Sequence, residues 1–123
     1  MTRESLAFIA STLFKAGIRY AYQRWNGKGA DMYWIGSYVE QQYLPEDQSQ
    51  LTLFLLDGFS TSGSWSRLEA EKETIKASFA DVRELLTSES GISVRVESVQ
   101  TIPTGTADVK RIEIQLLVKE WRV

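Results

Sequence analysis

The chain has 123 residues and a net charge of −2, and it contains neither cysteine nor histidine. These absences exclude thiol chemistry, disulfides, Cys/His zinc sites and imidazole acid–base catalysis. With 43% apolar and 24% charged residues, the chain can bury one core, so we expect a single domain over residues 1–123. The acidic balance argues against a nucleic-acid-binding protein, which needs a basic patch to neutralise phosphates.

The N-terminal segment is predicted to form a helix. Thr2 can cap it, Glu4 lies in its first turn, and apolar residues recur at helical spacing up to Gly17, which should end it. The same features argue against a signal peptide. No apolar run approaches the roughly 20 residues that span a bilayer, so we expect synthesis and retention in the cytoplasm.

The next segments are predicted to be strands. From 18 to 25 the apolar period changes to two, and an extended pattern resumes at 32–40 after the loop NGKGAD, which favours a β-hairpin. Residues 51–56 are apolar on both faces except at Thr52. This pattern predicts a central strand covered on both sides, which Asp57-Gly58 should end.

A second helix and two further strands complete the predicted fold. Ser66 and Glu69 form an S-x-x-E capping box, and the inward apolar stripe of the helix is expected to run on to Leu86. Strands follow at 92–99 and 109–123, joined by the loop TIPTGTAD. The prediction is an α+β domain with an antiparallel-rich sheet of about five strands and two helices packed on it, in the order α-β-β-β-α-β-β.

Two groups of polar residues are candidates for a phosphate-binding or catalytic site. The Asn26-Gly27-Lys28-Gly29 segment could cradle a phosphate, but it lacks P-loop spacing and opens no helix, so a hairpin loop is favoured. Five carboxylates show no sign of converging in pairs and are better explained as solvated surface. We therefore expect no catalytic activity, cofactor or metal. The carboxylates are Asp31, Glu40, Glu46, Asp47 and Asp57.

The aromatic residues between positions 20 and 43 indicate a different kind of site. This stretch holds all five tyrosines and two of the four tryptophans. If 32–40 is a strand, both of its faces carry bulky aromatics, so one face is core and the other needs either a helix or a partner protein. Core packing and partner contact both remain open for Trp34 and Tyr38, whereas Trp25 is expected at the surface.

Trp121 raises the same question in the last strand. It falls on the polar face of that strand and so should need a cover, and a terminal strand is often a sheet edge that pairs with another chain. The candidate interface combines the aromatic residues with the loop beside Trp25. Its members are Trp25, Asn26, Gly27, Lys28, Gly29, Trp34, Tyr38 and Trp121.

Three segments together resemble a known family over nearly the whole chain. They are YQRWNGKGADMYWIGSY, LFLLDGFSTSGSWSRLEAEKETIK and IPTGTADVKRIEIQLLVKEW. The order of these segments and their general residue character are similar to those of the small tail terminator (tail completion) proteins of phages and prophages of Gram-positive bacteria.

The resemblance implies a virion structural protein without catalytic, cofactor or metal residues. Such a subunit forms a homo-oligomeric ring, usually a hexamer, on the last ring of tail tube protein or on the sheath. It stops polymerisation there and presents the surface for head-tail joining to the head-completion (connector) protein. It would belong to the virion tail and assemble in the cytoplasm of the bacterial host, away from any membrane, with DNA passing nearby but not specifically bound.

The alternative is a small-molecule-binding α+β domain in which aromatic side chains line a pocket on the sheet. Those side chains would be Tyr20, Tyr22, Trp34 and Tyr38. An enzyme ranks third. Neighbouring genes discriminate between these hypotheses, since genes for tail proteins favour the virion role and metabolic genes favour the pocket.

If the loop beside Trp25 is a partner surface, Trp25→Glu should leave the fold nearly intact, at a cost under roughly 0.5 kcal/mol. Assembly should fail, because truncating an aromatic anchor typically costs about 2 kcal/mol or more per contact. Thermal melts of the variant are compared with the lengths of the tails it supports. A variant with a normal melt that still yields tails of uniform length would contradict the prediction.

Overall fold

The structure, a computed structural model, describes residues 1–24, 31–61, 65–86, 90–105 and 109–121. Within these ranges there are two helices and six strands, and neither helix is long and apolar enough to cross a membrane. The elements in chain order are α1 (Arg3–Lys15), β1 (Tyr20–Tyr22), β2 (Met32–Leu44), β3 (Ser49–Ser60), α2 (Trp65–Ser78), β4 (Val82–Leu85), β5 (Gly91–Thr101) and β6 (Lys110–Trp121).

The described strands form one sheet in the spatial order β1-β2-β3-β6-β5-β4. Every neighbouring pair is antiparallel except β1 and β2, which run parallel. The α+β class and the antiparallel-rich sheet are thus confirmed. The predicted number of about five strands is wrong, since β4 adds a sixth.

The first pair of strands is not the predicted hairpin. Tyr20 lies opposite Trp34 and Tyr22 opposite Gly36 in a parallel register, and β1 has only three residues. After β1 the backbone of Gln23 adopts a positive φ of 68°, and its amide donates to the carbonyl of Gly36 at 2.8 Å. Apolar alternation reports which side of a strand is buried but not the direction in which the strand runs, so the sequence pattern fits either arrangement.

The second helix is shorter than predicted. Leu68, Ile75 and Phe79 are fully buried as expected, but α2 begins one residue before Ser66, and β4 starts at Val82. Val82 would point toward the core whether the helix continued through it or a strand began at it. Apolar spacing therefore does not distinguish a longer helix from a new strand. The pairing of β4 with β5 decides in favour of a strand, because it supplies the backbone with ladder hydrogen bonds.

Helix α1 has the predicted ends. The hydroxyl of Thr2 accepts a hydrogen bond from the Ser5 amide at 3.1 Å. At the other end Gly17 has a φ of +79°, its amide donates to the carbonyl of Phe14, and the amide of Ile18 donates to the carbonyl of Leu13. These two bonds form a Schellman motif, which directs the chain from the helix toward β1.

A buried carboxylate fixes the start of α1 to the sheet. Glu120 in β6 accepts hydrogen bonds from the Thr2 amide at 3.1 Å and from the Ser5 hydroxyl at 2.5 Å. A negative charge at a helix N-terminus also interacts favourably with the helix dipole. The position of α1 over the sheet therefore depends on the last strand of the chain.

Both helices pack on the same face of the sheet. The core there contains side chains from α1, α2 and four of the strands, β2, β3, β5 and β6, and Trp34 is fully buried in it. The buried apolar residues are Ile9, Leu13, Ile18, Met32, Trp34, Phe54, Leu56, Leu68, Ile75, Phe79, Ile92, Val94, Ile112, Ile114, Leu116 and Val118.

Gly58 makes room for the buried tryptophan. It lies directly opposite Trp34 across β2 and β3, and a Cβ atom placed on it would come within 2.6 Å of the indole ring. The strand therefore continues through Asp57-Gly58 to Ser60, and the prediction that this dipeptide ends it is wrong. Here the glycine serves a close approach rather than a turn.

Gly58→Ala is expected to lower the free energy of unfolding by about 1–3 kcal/mol, because the added methyl group overlaps the Trp34 ring. Urea unfolding followed by circular dichroism measures this loss. In a Trp34→Leu background the same change should cost at least about 1 kcal/mol less, since the ring is gone. Equal costs in the two backgrounds would show that the ring is not the obstacle.

Candidate partner interface

The sheet face that points away from the helices is the main candidate site, and we call it the open face. No helix among the described residues packs on it, and its side chains are half-buried or exposed. It is formed by alternate residues of β2, β3 and β6, together with part of β5. On the three central strands these are Tyr33, Ile35, Ser37, Val39, Leu51, Leu53, Leu55, Asp57, Phe59, Arg111, Glu113, Gln115, Leu117 and Lys119.

The middle of the open face is aliphatic. Val39, Leu53 and Leu117 lie in one cross-strand row, and Leu51 and Leu55 flank Leu53 along β3. An antiparallel sheet that shows one face to water normally has polar residues there. The prediction that 51–56 is covered on both sides is therefore wrong within the described chain, although the apolar pattern that prompted it is real.

An ionic cluster borders this aliphatic area. Arg111 donates to Asp57 Oδ1 from Nη2 at 2.8 Å and from Nε at 3.2 Å, and its Nη2 lies 3.9 Å from Glu113. The guanidinium also lies 5.5 Å from the centre of the Phe59 ring, which stacks on Tyr33. Burial raises the pKa of Asp57, and this effect outweighs the opposing effect of Arg111. The cluster is thus already partly dehydrated, as charged groups at a protein contact are.

The predicted interface residues do not form one surface in the structure. Trp25 and the loop 26–29 lie outside the described residues. Trp34 is fully buried, and its Nε1 donates to Glu71 in α2 at 2.9 Å, so in this fold it belongs to the core and has no surface for a partner. Tyr38 is half-buried against the core, with its ring centre 6.2 Å from that of Tyr22.

Trp121 does not lie on an edge strand as expected, because β6 runs between β3 and β5. Its ring lies over Gly91 of β5, where a Cβ atom would come within 2.5 Å, and Lys119 Nζ is 5.9 Å from the ring centre. The glycine and the lysine therefore supply part of the cover that this tryptophan was expected to need. The edges of the sheet are β1 and β4.

The structure gives little support to an aromatic ligand pocket. Since Trp34 is fully buried, it cannot line a pocket with Tyr20, Tyr22 and Tyr38. A cavity of about 410 Å³ lies instead at the start of α1, next to Glu120, whose carboxylate already binds the helix. In the described part of the chain, no three acidic side chains are placed to hold a metal ion.

Sequence reasoning missed the open face, although a signal was present. Leu116-Leu117-Val118 interrupts the alternation of β6 just as residues 51–56 do in β3, and the two interruptions meet where Leu53 lies opposite Leu117. Matching apolar interruptions on two strands indicate that both faces of a sheet are apolar at the same place.

The molecule is thus an α+β domain with helices on one face and, on the other, an apolar area that no helix among the described residues covers. No protein-family model and no curated protein sequence matches the chain. A chain in the solved structure "Virion of native gene transfer agent (GTA) particle" has a similar fold, with a TM-score of 0.63 and 13% identity over 93% of this chain and 84% of that chain. At this identity the likeness establishes a fold that also occurs in a gene transfer agent virion.

Leu116 and Leu117 are neighbours on opposite faces of β6 and provide a matched pair. Leu116→Ala should cost about 2–5 kcal/mol of unfolding free energy, because it leaves a cavity in the core. Leu117→Ala should cost about 1 kcal/mol or less, because its side chain is only half-buried. Urea unfolding of the isolated chain measures both losses, and similar values would mean that the open face is covered.

Proposed function

We propose that this chain is a virion structural protein that acts as a tail terminator in a phage or prophage of a Gram-positive bacterium. Copies form a ring, most simply a hexamer, on the last ring of tail tube protein or on the sheath. The ring stops polymerisation and offers the head-completion protein its joining surface, and DNA passes through without specific binding. This role requires no catalysis and no cofactor.

The observation that carries the proposal is the likeness of fold to a chain of a gene transfer agent virion, which extends over 93% of this chain. The resemblance of the sequence to tail terminators points to the same kind of particle by a separate route. Neither line depends on the other, because one rests on segments of the sequence and the other on a shared fold at only 13% identity.

The open face supports the same role. Its aliphatic centre and adjacent ion cluster resemble the mixture found at protein contacts, where apolar area provides affinity and paired charges provide specificity. The cavity of about 410 Å³ is bordered by residues that fix α1. A protein partner therefore fits the surface of this molecule better than a small ligand does.

Deleting the gene from the phage or prophage should give tails of irregular and excessive length, because nothing would stop the tube. Negative-stain electron microscopy measures tail length, and labelling of a tagged wild-type copy should place the protein at the head-proximal end. Labelling only at the distal end, or uniform tails after deletion, would contradict the proposed role.

Complementation of the deletion provides a matched pair of variants. Leu117→Lys on the open face should fold but fail to restore uniform tails, because the charge disrupts the aliphatic centre. Thr74→Lys places the same charge on the exposed side of α2 and should restore them. If both variants restore uniform tail length equally well, the open face is not an assembly contact. That result would leave the proposed terminator role unchanged.

A further inference from the structure

The two edge strands are too short to cover their neighbours. β1 pairs with Trp34–Gly36 of β2 and leaves 37–44 without a strand partner on that side among the described residues. β4 pairs with Gly91–Val94 of β5 and leaves 95–101 of β5 without a strand partner on that side among the described residues. In both strands burial gives way to exposure soon after the short partner stops.

The two uncovered stretches lie at diagonally opposite corners of the sheet. The row that starts in β4 ends in the uncovered part of β2, and the row that starts in β1 ends in the uncovered part of β5. The first row is Val82, Val94, Val118, Thr52 and Glu40. The second row is Tyr22, Gly36, Leu56, Ile114 and Val99.

Each side of the sheet therefore has a step, and the two steps are complementary. On one side β1 projects and the edge of β2 is recessed, while on the other side β4 projects and the edge of β5 is recessed. Two copies placed side by side fit without a shift along the strands. The β4 strand of one copy enters the recess beside β2 of the next, and β1 of that next copy enters the recess beside β5 of the first.

We propose that copies of this chain join head to tail through these two stepped edges, so that one sheet continues into the next. The register gives β4 a parallel partner in the neighbour's β2 and gives β5 an antiparallel partner in the neighbour's β1. The contact supplies hydrogen-bond partners to backbone groups that a free edge presents to water. It rests on the proposed ring and specifies how its subunits touch.

The exposed apolar side chains favour this contact. Large apolar residues that are exposed in the described chain number five, and three of them lie on the β4 side or on the recessed part of β2. Val39 and Tyr43 are each 56% exposed, and Leu85 is 73% exposed. The row of Leu85 passes through Gly91 and ends at Leu44, so contact at this level places Leu85 directly beside Leu44 of the next copy.

The symmetry of such a contact is compatible with the proposed ring. Each copy uses two different sides, so every bound copy still presents one free side to another. A contact of this type is heterologous, and it closes into a ring when the rotation from copy to copy lets the first and last copies meet. A contact between two identical edges would stop at a dimer.

The absence of cysteine makes the contact testable by disulfide trapping. Leu85→Cys is combined in turn with Gln42→Cys, Tyr43→Cys and Leu44→Cys, and the concentrated pure proteins are mildly oxidised. Neighbouring strands are about 5 Å apart, which suits a disulfide. At least one combination should give a series of linked oligomers beyond the dimer on non-reducing gels, and reduction should return all of it to monomer.

Two controls fix the geometry. Leu85→Cys alone should stay monomeric, because this position meets β2 and not itself. Leu85→Cys with Gln100→Cys should also give no series, because both positions lie on the same side of one copy. Monomers from all three combinations, with normal circular dichroism, would overturn the stepped contact, and so would a dimer of the Leu85→Cys single variant.

The disulfide test of the edge contact does not depend on whether the protein acts at the phage tail. Linked oligomers of the pure chain support the edge contact even if deleting the gene leaves tail length unchanged, which would refute only the terminator role. A terminal ring on tails without any linked oligomers would refute only the edge contact.

Discussion

Two helices on one face of a six-stranded sheet constrain everything else in this molecule. They cover the aromatic and aliphatic side chains around Trp34 and leave the reverse of the same strands without a cover among the described residues. Because β3 and β6 are apolar on both sides in their middle, the packing that completes one core also creates an unpartnered apolar area. The core and the apolar area of the open face thus depend on the same two strands.

Local sequence signals predicted much of the fold. The cap at Thr2 and the stop at Gly17 were correct, because both depend on contacts within a few residues. The direction of β1 and the existence of β4 were missed, because both depend on pairing with distant strands. Asp57-Gly58 was wrongly predicted to end β3, since the local dipeptide gives no sign that Trp34 lies across from the glycine.

The candidate interface was harder to predict than the fold. Aromatic character drew attention to Trp34, which the structure uses inside its own core, while the leucines of the open face attracted none. Side-chain type does not distinguish a buried aromatic from an interface aromatic, since both gain by leaving water. What distinguishes the two faces is the number of helices available to cover them, and that number follows from the whole fold.

The central pairing of β3 with β6 joins residues far apart in the chain, such as Ser49 with Trp121. Closing so large a loop carries an entropic cost, and folds dominated by such contacts form slowly. During synthesis β3 emerges well before β6, so the edge of β3 that pairs with β6 has no ladder partner until β6 is made. The sheet is therefore complete only once β6 has docked, and until then the free edge of β3 can pair with a strand of another chain.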